Sequence, residues 1–221
     1  MKYITPLAIL LMGTQLVSAQ STNKFGIKGG LNEAYINGGN LTKSTVGQFL
    51  PGFHVGVFKD FDLGKNWSIQ PALFYTIKGY KATIDTQLPI GSLHENGKQT
   101  YQYLELPVNT LYNIKIKSSK IFIGGGPYMG YLFTAVGQRN TSLNNAPPVF
   151  TETKRVVGGN NGTFKRTDFG LNGLLGFSLK NGLLFSYSIS YGFTNIIANQ
   201  GTNPTAMTKN RVMNFSLGYE F

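Results

Sequence analysis

Large and small side chains alternate through the segment from Leu183 to Phe193. Counting from Leu183, every second residue is large and apolar or aromatic, whereas those between are mostly serine and glycine. Successive side chains of a strand point to opposite faces, so this period of two predicts a strand with one large apolar face and one small polar face. The segment from Arg211 to Phe221 repeats the pattern. The small polar face suits a hydrogen-bonded barrel interior better than a hydrophobic core.

The same period of two recurs through the chain and predicts eight strands. They cover residues 24–35, 53–61, 67–80, 101–114, 120–136, 166–179, 183–193 and 211–221. In the fifth, the run from Gly124 to Pro127 predicts a bend or a β-bulge. The alternation is least regular in the first, second and fifth strands, where a one-residue shift of register would exchange the two faces.

The connections between these strands alternate between short and long. Short turns are predicted at 62–66, 115–119 and 180–182, and long links at 36–52, 82–100, 137–165 and 195–210. An even number of strands with short turns at one end and long loops at the other is how outer-membrane barrels are built. We therefore predict an all-β fold, an eight-stranded antiparallel up-and-down transmembrane β-barrel with short periplasmic turns and long extracellular loops.

The first 19 residues have the layout of a secretory signal peptide. Lys2 precedes an apolar run, and Val17-Ser18-Ala19 supplies the small residues of a cleavage site. We expect cleavage after Ala19, export, and a single barrel domain over residues 20–221. An N-terminal membrane anchor is the alternative, but the apolar run is short and is interrupted by Pro6 and Gly13.

Aromatic residues concentrate near the ends of the predicted strands. Tyr and Trp rings are enriched at the boundary between hydrocarbon and headgroups, so outward rings there would fit lipid-facing strands. In the alternative, a soluble barrel, the same rings would form the core. A closed barrel satisfies its backbone in a bilayer even with weakly hydrophobic strands, which favours lipid. The rings assigned to the boundary are Trp67, Phe74, Tyr75, Tyr80, Tyr101, Tyr112, Tyr131, Phe133, Phe193, Tyr219 and Phe221.

Four short motifs carry a family resemblance over nearly the whole mature chain. They are FGIKGGLN at 25–32, YLELPV at 103–108, GGGPYMGY at 124–131, and the final GYEF. The chain resembles the small "porin family" of outer-membrane β-barrels that includes the PorT-like proteins. This resemblance implies an outer-membrane barrel and, from the PorT members, an association with a secretion apparatus. It does not imply an open channel, because the interior of an eight-stranded barrel is about wide enough for its own side chains.

Charged residues on the small polar faces predict a plugged interior. Unpaired charges in so narrow a space would be costly, so we expect ion pairs and hydrogen bonds across the barrel. A gated or ligand-responsive path is the alternative, because charged residues within a membrane are candidates for function. The predicted luminal network consists of Lys28, Lys78, Glu105, Arg166, Asp168 and Glu220.

Composition offers little for catalysis. The chain has no cysteine and only two histidines, and 13% of its residues are charged. His94 with Glu95 and nearby Asp85 forms the one cluster that resembles an acid–base group, but neighbours in a loop are not a positioned pair. His54 is predicted to be an ordinary strand residue. We therefore expect no enzymatic activity, no cofactor and no metal.

The net charge of +11 becomes +10 once Lys2 is removed with the signal peptide, and the excess lies in or beside the long loops. A basic outer rim would face the phosphates of lipopolysaccharide. We expect Arg139, Lys154, Arg155 and Lys165 to hold anionic lipid headgroups through charge-assisted hydrogen bonds. Nucleic acid is a common partner of basic chains, but export argues against it here.

Three functions are compatible with the sequence. The first and preferred one is a structural or interaction barrel whose loops contact lipid, lipopolysaccharide or other envelope or secretion proteins. The second is a narrow pore or an accessory component of outer-membrane transport or secretion. The third is an exported soluble ligand-binding barrel of the lipocalin type, whose apolar side chains would face inward.

Overall fold

The computed structural model describes residues 23–37, 45–144, 146–159, 163–198 and 208–221. Within these ranges no helix has the length and apolar character needed to cross a membrane. The predicted signal peptide lies outside them. The described residues form ten strands: β1 (Lys24–Asn37), β2 (Thr45–Gln48), β3 (Leu50–Gly64), β4 (Trp67–Leu88), β5 (Gly91–Ile116), β6 (Ser119–Leu143), β7 (Val149–Lys154), β8 (Thr167–Ser178), β9 (Leu183–Gly192) and β10 (Lys209–Glu220).

Eight of these strands close a ring in which every neighbouring pair is antiparallel. The order around the ring is β1, β3, β4, β5, β6, β8, β9 and β10, which returns to β1. The predicted eight-stranded up-and-down barrel is therefore confirmed. The two remaining strands are not among the eight that close the ring. Strand β2 pairs with the last third of β4, and β7 pairs with the last third of β6.

Tight turns define one end of the barrel, which we call the turn end. They join β3 to β4, β5 to β6 and β8 to β9, and β1 begins and β10 ends beside them. Lys65 and Asn66 both have positive φ, at 51° and 70°, which is the conformation of a two-residue hairpin turn. Lys180-Asn181-Gly182 forms a three-residue turn between β8 and β9, with Gly182 at φ 86°. The opposite end is the loop end.

The two faces of the strands separate as the alternation predicts. In β8, Phe169, Leu171 and Leu175 are each about half exposed, at 49%, 50% and 52%, while Asp168 and Gly170 on the opposite face are buried. Most of the large apolar side chains thus point away from the barrel axis. The interior combines polar and small residues with a few buried apolar clusters. A soluble lipocalin-type barrel requires the reverse, so that alternative has no support.

Three of the long links contain substantial strand, and here the prediction is wrong. The link at 36–52 includes the end of β1, all of β2 and the start of β3. The link at 82–100 is the far part of the β4–β5 hairpin, which stays paired up to Leu88 and Gly91. The link at 137–165 contains the end of β6 and all of β7. Beyond the apolar belt the outward face of the β4–β5 hairpin is polar, while its inward face carries Ala82, Ile84 and Leu88. The alternation of hydrophobicity therefore continues with its sign reversed.

The predicted bulge in the fifth strand lies at a different place. The run from Gly124 to Pro127 pairs with β8 without any shift of register. The irregularity in the β5–β6 ladder falls instead where Gln102 pairs with Thr134 and Tyr103 with Leu132. Phe133 is therefore the extra residue, and the inward positions of β6 change from even to odd numbers beyond it.

Aromatic rings form two outward belts. At the turn end, the Trp67 and Tyr112 rings lie 5.1 Å apart, and towards the loop end the Tyr75 ring lies 5.7 Å from Phe53 and 5.9 Å from Phe133. The prediction is wrong for three rings. Phe74, Tyr80 and Tyr101 belong to the inward alternation, where they line the interior.

Candidate functional site: the barrel interior and its outer mouth

A buried network of three charges crosses the barrel, and we call it the central network. Lys78 from β4 forms ion pairs with Glu105 from β5 and with Asp168 from β8, the latter at 3.5 Å from Nζ to Oδ2. Lys78 and Asp168 are both 0% exposed. Because two carboxylates share one ammonium group away from water, the pairing is essential to their burial.

Neutral donors contact Oδ2 of Asp168, while its Oδ1 is buried without a hydrogen-bond partner among the described residues. Its Oδ2 accepts a hydrogen bond from the Asn210 amide at 2.9 Å and from the Tyr128 hydroxyl at 3.2 Å. The Asn210 amide also donates to the Tyr103 hydroxyl at 3.3 Å. Strands β4, β5, β6, β8 and β10 each contribute a side chain, so the network ties opposite walls of the barrel together.

Aromatic rings enclose the ammonium group of Lys78. Its Nζ lies 4.9 Å from the centre of the Tyr103 ring and 4.8 Å from that of Tyr128, within the range of cation–π attraction. Gly170 makes room for this arrangement, because a Cβ there would lie 2.5 Å from Cε1 of Tyr128. A glycine at this position allows the ring to lie flat across β8.

An apolar cap covers the central network on its loop-end side. Tyr101 and Phe164 meet edge to face, with ring centroids 5.0 Å apart. Phe164 and Ile196 come from outside the regular strands, so the connecting segments contribute to the closure. The buried members of this cap are Tyr101, Tyr103, Leu132, Ala135, Phe164 and Ile196.

A small polar cavity of about 40 Å³ lies on the other side of the central network. Lys28, His54 and Ser216 line it together with Glu105, and Nε2 of His54 lies 2.8 Å from the Ser216 hydroxyl. Lys28 has its ammonium group 5.4 Å from the centre of the Phe58 ring and 5.3 Å from that of Phe74. The cavity has room for about one water, which has a share of roughly 30 Å³ in the liquid.

Below this cavity, an apolar layer separates it from a second set of charges. Phe58, Ala72 and Leu184 pack together, and Phe122 packs with Leu111 and Leu174 beside them. Buried side chains therefore fill the interior at two levels, at the central network with its cap and at these two apolar clusters. The clusters lie between the polar cavity and the second set of charges.

The second set of charges, which we call the turn-end cluster, joins β1, β3, β6 and β10. Lys120 contacts Asp60 at 2.9 Å and Glu220 at 3.1 Å, and Lys24 contacts Glu220 at 3.1 Å. The Ser178 hydroxyl also donates to Glu220. The side chain of Lys24 is 43% exposed, so this cluster borders solvent.

The structure brings only some of the predicted luminal residues together. Lys78, Glu105 and Asp168 meet in the central network, Lys28 lies in the adjoining cavity, and Glu220 belongs to the turn-end cluster. Arg166 does not face the interior, and its assignment there is corrected. It precedes the first residue of β8, so the alternation does not extend to it.

The exposed side chain of Arg166 lies on the outer aromatic belt. Its guanidinium carbon is 5.9 Å from the centre of the Tyr131 ring, and its Nη1 is 3.3 Å from the Tyr131 hydroxyl. Arg211 sits in the same way 4.3 Å from the centre of the Tyr191 ring. Both cations therefore lie on the outside of the barrel, towards the loop end.

Sequence reasoning missed three members of the turn-end cluster, Lys24, Asp60 and Lys120. The sequence indicated the position of Asp60, because it lies an even number of residues from His54 and therefore on the same small face of the strand. Lys24 and Lys120 stand at strand starts, where the alternation is too short to assign a face. Their partner Glu220 shows that the first and last strands meet there.

The four cations predicted for the outer rim divide between two faces. Lys154 is exposed on the outer face, where it pairs with Val136 of β6. Lys165 is exposed beside the cap. Arg139 and Arg155 lie on the inner side instead, where they line a cavity of about 140 Å³ at the mouth of the barrel. Alternation explains Arg139, because it pairs with inward Gly97 rather than with outward Lys98.

The one histidine cluster weighed from sequence does assemble. Asp85 and His94 are direct cross-strand partners and contact each other through Oδ1 and Nδ1. The Asn96 amide lies 3.1 Å from Nε2 of His94. Ser142 pairs with His94 on the next strand, but its hydroxyl donates to the carbonyl of Ala146 at 2.6 Å. Asp85 and His94 thus form an exposed pair, and the hydroxyl of neighbouring Ser142 is bound to another group.

A closed eight-stranded ring with lipophilic side chains outside and polar ones inside defines an integral outer-membrane β-barrel protein. The comparison with protein families agrees. The chain belongs to the outer membrane protein beta-barrel domain family, whose model matches residues 18–198. The protein is accordingly located in the outer membrane.

Solved structures with similar architecture include three outer-membrane proteins. Ail of Yersinia pestis, in complex with the heparin analogue sucrose octasulfate, is 12% identical over 90% of this chain and 99% of that chain, with a TM-score of 0.40. OprG of Pseudomonas aeruginosa is 17% identical over 91% and 97%, with a TM-score of 0.43. Neisserial surface protein A is 12% identical over 89% and 97%, with a TM-score of 0.40. No protein with curated annotation matches the chain.

Proposed function

We propose that this protein is a sealed, non-enzymatic interaction barrel, exported by a cleaved signal peptide, whose loop-end strands form a binding surface outside the membrane. The observation that carries the proposal is the packing of buried side chains at two levels of the interior. The central network under its apolar cap lies at one level and the clusters around Phe58 and Phe122 lie at the other, with a cavity of only about 40 Å³ between them. Free diffusion through the barrel would require both barriers to open.

The orientation follows from how outer-membrane barrels are built. Short turns face the periplasm and long loops face the outside, so the turn end is periplasmic and the loop end extracellular. The β4–β5 hairpin and the β6–β7 pair then project beyond the outer aromatic belt as a paired sheet. This rigid surface suits recognition better than a set of mobile loops would. It supports the interaction barrel over the narrow pore and over the accessory role in transport that the PorT-like resemblance suggests.

Substituted-cysteine labelling tests the sealed interior, and the absence of native cysteine makes it clean. Ser216→Cys places one thiol in the cavity between the two barriers, where Ser216 is 9% exposed. Asn96→Cys places one on the exposed loop-end sheet as the matched control. We expect a charged thiol reagent to modify Cys at 96 within minutes and to leave Cys at 216 unmodified in barrels that show heat-modifiable gel mobility.

Conductance provides the second readout. Folded wild-type protein in a planar bilayer is expected to show no discrete channel openings, while a general porin in the same bilayer does. Rapid labelling at position 216, or steady openings by folded wild-type protein, would overturn the sealed barrel and favour the pore.

A pair of lysines supports contact with lipopolysaccharide at the loop end. Lys81 of β4 and Lys98 of β5 are direct cross-strand partners on the outward face, beyond the Tyr75 ring of the outer belt. Like charges directly opposite each other destabilise a sheet, and an anion held between them removes that cost. Lys154, Arg166 and Arg211 lie on the same outer face. Phosphates of lipopolysaccharide are the anions that a membrane would supply there.

The double variant Lys81→Gln/Lys98→Gln tests this contact against Lys117→Gln/Lys180→Gln, which removes the same charge from exposed turns at the other end. We expect the loop-end variant to bind lipopolysaccharide about tenfold more weakly, because it loses two charge-assisted hydrogen bonds, and the turn-end variant to bind as wild type does. Native mass spectrometry of retained lipopolysaccharide measures both. Equal retention by the two variants would contradict the assignment.

A further inference from the structure

The mouth of the barrel contains a cavity of about 140 Å³ on the inner face of the β4–β5–β6 sheet. Lys98 and Gln138 border this cavity, but the alternation along each strand directs their side chains to the outward face. Its floor is formed by residues without long side chains, Ala82, Gly97 and Gly137. Its walls carry the side chains of Tyr80, Ile84, Glu95, Gln99, Arg139 and Arg155.

Arg155 supplies an uncompensated positive charge at this cavity. Among the described residues, its guanidinium group has no ion pair and no hydrogen-bond acceptor. Arg139 is less free, because its Nη1 lies 3.3 Å from Oε1 of Glu95. Two guanidinium groups against one carboxylate leave the cavity with a net positive charge.

Gln99 supplies the second, independent observation. It is 8% exposed, it lines the cavity, and its Nε2 is buried without a hydrogen-bond partner in the described part of the chain. An unmade hydrogen bond at a buried amide is costly, so this donor lacks the acceptor it requires. Gly137 keeps the approach open, because a Cβ there would lie 3.0 Å from Oε1 of Gln99 and 3.3 Å from Nε of Arg155.

We propose that this cavity is a binding site for an oxyanion carried on a sugar, held by Arg155 and Arg139 with the Gln99 amide and the Tyr80 hydroxyl. All four groups can donate hydrogen bonds, and guanidinium groups match the planar geometry of phosphate, sulfate and carboxylate oxygens. The volume equals that of roughly four to five waters, which suits one anionic group and the adjoining part of a ring. The proposal deepens the proposed function and rests on it, since it names a ligand class for the loop-end surface.

Titration of the folded protein in neutral detergent micelles with glucose 6-phosphate tests the site, with glucose 6-sulfate as a second probe and unmodified glucose as control. Heteronuclear NMR follows the side-chain amide of Gln99 and the Nε–H group of Arg155. We expect saturable shifts of both signals with either anionic sugar and none with glucose. Unmoved signals at saturating probe would overturn the proposal.

Two adjacent residues provide a matched pair of variants. Arg155→Gln removes a charge from the cavity, while Lys154→Gln removes the same charge from the outer face one position earlier. We expect Arg155→Gln to weaken binding about tenfold, as for loss of a charge-assisted hydrogen bond, and Lys154→Gln to change it less than about twofold. Equal weakening by both would mean a general attraction of anions to a basic rim and would overturn the site.

Glu95→Gln gives a test with the opposite sign. Removing this carboxylate releases Arg139 for the ligand, so we expect binding to tighten about threefold or more. Weaker binding in this variant would contradict the proposed role of Arg139.

Measuring probe binding in two kinds of membrane identifies the source of the anion. If the ligand is a phosphate of the lipopolysaccharide core, the free probe would bind more weakly in nanodiscs that contain lipopolysaccharide than in nanodiscs of phosphatidylcholine alone. Arg155→Gln would then abolish this difference in probe affinity. Equal affinity in both membranes assigns the site to a soluble or extracellular sugar. Labelling at position 216 is measured separately, so failure of anion binding would leave the sealed barrel standing.

Discussion

The central network and the turn-end cluster have similar chemistry in different surroundings. Both combine lysine with carboxylates from strands on different sides of the barrel. Lys78 in the central network is enclosed by two tyrosine rings and is 0% exposed, whereas Lys24 in the turn-end cluster has a side chain that is 43% exposed. The cation of the central network is sealed from water, whereas the turn-end cluster reaches solvent through Lys24. The carboxylates do not differ in this way, because the side chains of Glu220 and Asp60 are 2% and 7% exposed and that of Glu105 is 15% exposed.

This difference in burial determines what each set of charges contributes. A sealed carboxylate that loses its partner bears the full cost of desolvation, so the central network is stable only as a complete unit. The Lys24–Glu220 ion pair at the edge of solvent is screened by salt and is worth little when Lys24 is removed. The central network therefore joins opposite walls of the barrel as one buried unit, while the turn-end cluster joins the first and last strands.

The largest effect is expected from Lys78→Met. This change leaves Glu105 and Asp168 buried side by side without a cation, and breaking such a buried pair costs about 3 to 5 kcal/mol. Urea titration of the protein in lipid vesicles measures the free energy of unfolding. The single tryptophan, Trp67, lies on the lipid face and reports the transition.

The triple variant Lys78→Met/Glu105→Gln/Asp168→Asn is the control for that experiment. It removes all three charges and keeps similar volumes, so we expect it to recover most of the lost stability. If the triple variant is no more stable than Lys78→Met, the loss comes from packing around Lys78 and the charge argument is wrong.

A smaller effect is expected from Glu220→Gln in the turn-end cluster. Glu220 accepts from Lys24, Lys120 and Ser178, but Lys120 keeps its contact with Asp60 after the change. The expected loss is about 2 kcal/mol, the worth of a hydrogen bond to a charged group. The same urea titration measures it. A loss as large as that of Lys78→Met would show that this cluster is as sealed as the central network.

The smallest effect is expected from Lys24→Gln, with a loss below about 1 kcal/mol. This loss should shrink further as salt rises from about 0.01 M to about 1 M, since the Debye length falls from about 30 Å to about 3 Å. The penalty of Lys78→Met should hardly change over the same range, because its partners are shielded from ions. A strong salt dependence of the Lys78→Met penalty would remove the distinction between the two sets of charges.

The sequence predicted the ring and its faces but not the length of its outer strands. The alternation in β8 and β9 was sufficient to place Phe169 and Phe185 outside and Asp168 inside, because side-chain direction follows from position in a strand. The far part of the β4–β5 hairpin also alternates, but with polar residues such as Lys81 and Asp85 outside and Ala82 and Ile84 inside. This reversed alternation does not fit a lipid-facing strand, so the segment was predicted to be a loop.

The candidate site, too, was predictable from the sequence only in part. Lys78, Glu105 and Asp168 were recognisable as inward charges, but not as one group, since 90 positions separate Lys78 from Asp168. Arg139 and Arg155 were recognisable as loop-end cations, but the inner face on which they lie depends on the bulge at Phe133. A one-residue bulge reverses the faces of everything that follows it in β6.

By itself, the sequence determined that most strands have one lipid-facing and one interior face, because this follows from a local period of two, and that an even number of strands with alternating short and long links closes into a barrel. Only the tertiary structure decided which interior charges meet, which side chains fill the axis, and that a basic cavity opens at the mouth. Those outcomes depend on the tilt and stagger with which distant strands are placed across a closed ring. No local pattern in the chain encodes that geometry.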